Sequence, residues 1–150
     1  MTSTPLPDVF ARLALAALLG GAIGVEREYR RKPAGLRTNI LIALGSALFS
    51  ILSVELGTAA GSPDRIAAQV VTGVGFLGAG AILRSGSGDN VHGLTTAATI
   101  FVNAAIGMAA GLGANAVAVG GAAITLIVLA LLPFVERLVD ADGGGAGRDR

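Results

Sequence analysis

A chain of 150 residues that is 53% hydrophobic and only 14% charged cannot clothe itself in a water-facing surface. Soluble domains carry about a quarter charged residues, and a domain this small has too much surface to hide so much apolar content. The absence of cysteine excludes disulfides and thiolate metal sites. A formal net charge of +1 gives no sign of nucleic-acid binding, so the information lies in where the charges sit.

Crossing a bilayer takes roughly 20 mostly apolar residues. Residues 1–8 form a short tail expected outside the cell. The first span runs from Val9 to Val25, with Arg12 near its end, where a long side chain can snorkel to the headgroups. It reads as a retained span and not a cleaved signal, because the basic cluster follows the apolar run instead of preceding it. The second span runs from Thr38 to Leu56, the third from Ile66 to Leu83, the fourth from Leu94 to Leu112 and the fifth from Ala114 to Val135. Together they make an all-α membrane protein, a bundle of about five transmembrane helices over residues 9–138. Residues 139–150, with the run Gly143-Gly144-Gly145, read as a disordered tail. The first loop holds Arg27, Arg30, Arg31, Lys32 and Arg37, the third Arg84 and His92, whereas the other two are nearly free of basic residues. Positive loops stay in the cytoplasm, which puts the N-terminus outside and the C-terminus inside.

Helices associate in lipid by close approach through small residues, because burying Leu gains nothing against acyl chains. Gly20 and Gly24 make a GxxxG pair on the first span, Gly107 and Gly111 one on the fourth, and the third holds Gly73, Gly75, Gly78 and Gly80. These faces are expected to pack the bundle, with homodimerisation as the other use of the same chemistry. Gly73 to Gly78 also matches G-x-G-x-x-G, but it lies inside an uncharged apolar run with no strand before it, so the dinucleotide reading is rejected.

Polar groups at membrane depth need partners and tend to face the bundle interior or a wet cavity. Thr96, Thr99 and Asn103 fall at helical spacing with Gly107 on the same face, and Gln69 and Thr72 share a face with Gly73. Interhelical hydrogen bonding and a polar cavity for an ion or small solute both fit this pattern. Two carboxylates, Glu26 and Glu28, sit among the arginines that end the first span. Topology does not require them, so they suggest an ion-pair network, with Arg30 and Arg31 in reach along the helix and Arg37 or Arg84 across it. Thr38 or Asn39 is placed to cap the second helix, and Thr95 or Thr96 the fourth. His92, a lone histidine, lacks the companion ligands a metal site needs. The cytoplasmic ends of the first, third and fourth helices, bearing Glu26, Arg27, Glu28, Arg37, Arg84, Thr95 and Thr96, are the expected working site. No cofactor is expected.

Three stretches resemble the membrane domain of the MgtC/SapB family of bacterial inner-membrane proteins: Gly24-Val25-Glu26-Arg27-Glu28 leading to Lys32-Pro33-Ala34-Gly35-Leu36-Arg37-Thr38; Arg65-Ile66-Ala67-Ala68-Gln69-Val70-Val71 leading to Gly75-Phe76-Leu77-Gly78-Ala79-Gly80; and Gly93-Leu94-Thr95-Thr96-Ala97-Ala98. The resemblance runs from about Leu13 to Leu138. It implies a multi-pass plasma-membrane protein of the short, SapB-like kind, without a soluble C-terminal domain, and a link to growth in low magnesium. Some members resemble regulators of other membrane complexes, including the rotary ATP synthase.

Three functions compete. A non-enzymatic regulator would dock its helices on another membrane protein. A transporter or channel component would use the polar stripes, although no carboxylate lies mid-membrane, where cation paths place them. An intramembrane enzyme finds no nucleophile–base pair in this composition.

Overall fold

The computed structural model describes residues 4–60, 65–85 and 93–143. Within them lie five helices and no strand: α1 (Leu6–Tyr29), α2 (Leu36–Ala60), α3 (Arg65–Ser85), α4 (Leu94–Gly111) and α5 (Asn115–Gly143). The helix boundaries run past the apolar spans at several ends. α1 begins on Pro5 and Pro7, whose fixed φ suits a first turn, and continues through Glu26 to Tyr29. α5 carries Pro133 inside it and continues beyond Val139, where the sequence suggested a disordered tail, to Gly143. Leu138, Val139 and Ala141 all tolerate helix, and the first residue with a strong preference against it is Gly143.

Among the described residues four stretches are long and apolar enough to cross a membrane: Leu6–Tyr29, Leu36–Leu56, Leu94–Gly111 and Asn115–Phe134. The expected third span, Ile66–Leu83, carries no charge and lies inside α3, whose 21 residues rise about 30 Å at about 1.5 Å per residue, comparable to the hydrocarbon thickness.

α4 is the hub. Among the described residues it touches all four other helices, whereas α3 touches α2 and α4 alone, and α5 α1 and α4 alone. Its packing on α2 follows one register. Asn103 bonds to Asn39; an added Cβ on Gly107 would lie 2.7 Å from Ala43 Cα, and one on Gly111 2.7 Å from Ala47 Cα. Each step is four residues on both helices, so α2 and α4 run in the same direction, backbone against backbone. α1 runs opposite to them, with Gly20 pressed on Asn39 and Ala43 and Gly24 on Leu36. The core is built of small side chains to match: Ala16, Ala43, Ala47, Ala110, Ala118 and Ala122 are all buried, while Phe10, Leu18, Phe76 and Ile124 face outward. This is the pattern of a protein whose solvent is lipid.

Gly73, Gly75 and Gly80, expected as packing residues, meet no atom within 4 Å of an added Cβ; on α3 only Gly78 meets a neighbour, Ala97, at 3.5 Å. α3 lies at the periphery and turns its other glycines outward.

Candidate functional site

The charged end of α1 packs onto the N-terminal ends of α2 and α4. Arg27 points inward, with only 3% of its surface exposed, because α1 places it one turn beyond Gly24 on the buried face. Its guanidinium donates to the Thr96 hydroxyl at 2.9 Å, joining the first and third family-like motifs across 69 residues of chain. Arg27 Nε meets no acceptor among the described residues. Two turns along the same face of α4, Asn103 is fully buried and donates from Nδ2 to Asn39 O at 2.7 Å and to Asn39 Oδ1 at 3.1 Å. Between them Thr99 is buried and returns its hydroxyl to Thr95 O at 2.7 Å.

The turn between α1 and α2 is held from both sides. Arg31 takes a φ of 54°, Arg31 N donates to Glu28 O and Lys32 N to Arg27 O, the Schellman closure of a helix end with arginine where glycine is usual. Glu28 then reaches forward, and its Oε2 accepts from Leu36 N at 2.9 Å, capping α2. Gly35 lies under that carboxylate, in space a Cβ would need. From inside, Asn39 Nδ2 donates to Ala34 O and to Gly35 O, the latter at 2.9 Å. The segment Lys32-Pro33-Ala34-Gly35-Leu36-Arg37-Thr38 is therefore a turn clamped by Glu28 and Asn39.

The expected cluster divides accordingly. Arg27 and Thr96 meet. Glu26 pairs with Arg30 on its own helix, Nε to Oε1 at 2.5 Å, although neither carboxylate oxygen meets a donor at hydrogen-bonding angles. Glu28 binds backbone, so among the described residues neither carboxylate pairs with Arg37. Arg37 and Thr95 are exposed. The side chain of Arg84, and His92 altogether, lie outside the described residues. Gln69 and Thr72 are exposed on α3, away from the seam that holds Thr99 and Asn103. Arg12 donates to Gly111 O at 3.0 Å, at the C-terminal end of α4, a cation on the negative end of a helix.

Asn39 does more than the capping its position suggests, and Ser46, Ser50 and Ser53, which the expected site does not include, are all buried on α2. Their spacing of four and three is the same helical criterion that singled out Thr96, Thr99 and Asn103. Among the described residues, no three His, Cys, Asp or Glu side chains gather as metal ligands would.

Apolar helices packed through small residues around a buried arginine and two buried asparagines define a multi-pass α-helical membrane protein. The chain belongs to the MgtC family, whose model matches residues 13–138. It is 54% identical over 129 residues to the putative magnesium transporter YhiD of Escherichia coli K12, covering 81% of this chain and 59% of that one. It is 48% identical over 139 residues to Protein MgtC of Brucella abortus, covering 92% and 57%, and 54% identical over 101 residues to Protein MgtC of Salmonella typhimurium, covering 67% and 42%. The chain thus spans about half the length of these curated relatives. No solved structure matches it.

Proposed function

We propose that this chain is a non-enzymatic regulator of the bacterial inner membrane, linked to adaptation to low magnesium, that acts by docking against another membrane protein. The observation that carries this reading is the closure of its middle. α2 and α4 meet backbone to backbone where Gly107 lies on Ala43 and Gly111 on Ala47, and most polar side chains of the seam bond to each other or to backbone, with Arg27 Nε and Asn103 Oδ1 left over among the described residues. A cation path calls for a wet cavity lined with oxygen ligands. At the rim around the first turn, Glu28, Arg31, Lys32 and Arg37 are exposed and frame a surface that can meet a partner, with Glu26 held behind them by Arg30, its carboxylate oxygens buried. The names of the relatives supply the link to magnesium.

The test is complementation. A strain lacking this gene is grown in low magnesium with the intact chain, with Glu26→Gln, or with both Glu26→Gln and Glu28→Gln, insertion being checked by membrane fractionation. Topology does not depend on acidic residues, so normal insertion with lost rescue is expected, and full rescue by the double variant would remove the rim from the site. The second reading, transport, draws on the printed name of the Escherichia coli relative. Magnesium flux into proteoliposomes holding the purified chain alone, abolished by Thr96→Val, would replace the regulator with a carrier.

A further inference from the structure

Between α2 and α3 runs an open groove of about 760 Å³ that meets the rim at Arg37. Arg37 and Thr38 stand at one end of it, Gly45 in its middle wall, and Phe49 at the far end of α2; Gln69 and Gly73 line it from α3. An added Cβ on Gly45 or on Gly73 would meet nothing within 4 Å, so the walls are bare where a guest would lie. From Arg37 to Phe49, α2 rises about 18 Å at about 1.5 Å per residue, close to the roughly 15 Å of hydrocarbon in one leaflet.

The charge at the rim is unbalanced. Arg30 takes Glu26 and Leu36 N takes Glu28, so the acidic groups of the first turn are engaged. Arg37 is exposed, and no carboxylate among the described residues lies within ion-pair distance of it. Arg31 and Lys32, also exposed, add to the same positive field. A guanidinium binds phosphate oxygens with directed, charge-assisted hydrogen bonds. An apolar trough of leaflet depth with a free cation at its head fits one class of molecule.

We infer that the α2–α3 groove binds an anionic phospholipid, an acyl chain lying along Gly45 and Gly73 and the phosphate on Arg37. With the first turn in the cytoplasm, as the basic residues suggest, this is a lipid of the inner leaflet. The site is independent of whether the chain regulates or transports.

The test is native mass spectrometry of the purified full chain in mild detergent, with phosphatidylglycerol or phosphatidylcholine added in equal amounts. The intact chain is expected to carry more phosphatidylglycerol than phosphatidylcholine. Arg37→Gln should cut that preference about fivefold, the worth of one basic residue near an anionic surface, and Arg37→Lys should keep most of it. Gly45→Leu, whose Cβ meets no atom within 4 Å and whose side chain enters the trough, should reduce adducts of both lipids; Gly120→Leu, with an equally open Cβ on α5, should change neither. The comparison of the two lipids on the intact chain requires no variant to fold. Equal adducts of the two lipids would overturn the proposal, as would a preference untouched by Arg37→Gln. Displacement of the lipid by inorganic phosphate would reduce the site to a simple anion site and overturn it. A dimer in place of the lipid adduct, lost in Gly45→Leu, would give the groove to a second copy and overturn it too.

Discussion

Arg27 is the side chain this bundle has most reason to have placed elsewhere. An arginine costs about 2.5 to 3.5 kcal/mol at the centre of a spanning helix; Arg27, in the last turn of α1, is nonetheless buried, and among the described residues it finds one acceptor, the Thr96 hydroxyl. Replacing Thr96 by Val keeps the shape and deletes the acceptor, leaving a buried charge short of its partner. The expected loss is about 1.5 to 3 kcal/mol, that of a hydrogen bond to a charged group, read from reversible unfolding in mixed micelles. Thr95→Val, on the exposed neighbour, should stay within about 0.5 kcal/mol. Equal effects at the two positions would show that Arg27 is satisfied by other means. At this scale the sequence marks residues but does not show their pairing. Arg27 and Thr96 stand out by charge and motif, but a string of letters does not say that Glu28 turns toward a backbone N–H instead of an arginine. Asn39 looked like an ordinary cap because its second role depends on Asn103, which is 64 residues away and arrives only with α4.

Glycine spacing tells where a helix can be approached, and two of the glycine-bearing helices use their glycines differently. On α4, Gly107 and Gly111 are filled by the backbone of α2; on α3, Gly73 and Gly80 face open space. Gly107→Ala should therefore cost about 1 to 3 kcal/mol, the range for forcing extra volume into a packed core, because its neighbour is backbone and cannot swing away. Gly73→Ala should instead leave stability unchanged or raise it by up to about 1 kcal/mol, through helix propensity alone. Thermal unfolding of the two variants side by side checks the contrast, and a costly Gly73→Ala would mean that α3 is packed on something beyond this chain. Helix identities and most boundaries were legible from apolar run length, since only helices satisfy their own backbone in hydrocarbon. The extension of α5 to Gly143 was not, because polar residues that merely tolerate helix carry no run to count.

At the scale of the whole molecule, orientation rests on the basic residues of the first turn. Four of them, Arg30, Arg31, Lys32 and Arg37, lie at its surface or partly so, available to hold that turn in the cytoplasm, whereas Arg27 is withdrawn into the core. With α3 crossing as a helix of 21 residues, the C-terminus is expected inside. A fluorescent reporter fused there should glow and a periplasmic phosphatase should stay inactive; the opposite pair of results would invert the topology. The parallel run of α2 and α4 has a consequence for how the chain is made. Neighbours that point the same way cannot be consecutive, so the seam between them waits on everything that intervenes. Asn39 emerges 64 residues before Asn103, and Arg27 leads Thr96 by 69. At ribosomal rates of about 5 to 20 residues per second, the nascent hairpin of α1 and α2 sits in the membrane for roughly 3 to 14 seconds with its arginine and asparagine unanswered. During that interval the insertion machinery, or a lipid headgroup drawn to the same charge, must shelter side chains whose partners within the bundle, Thr96 and Asn103, arrive only with α4.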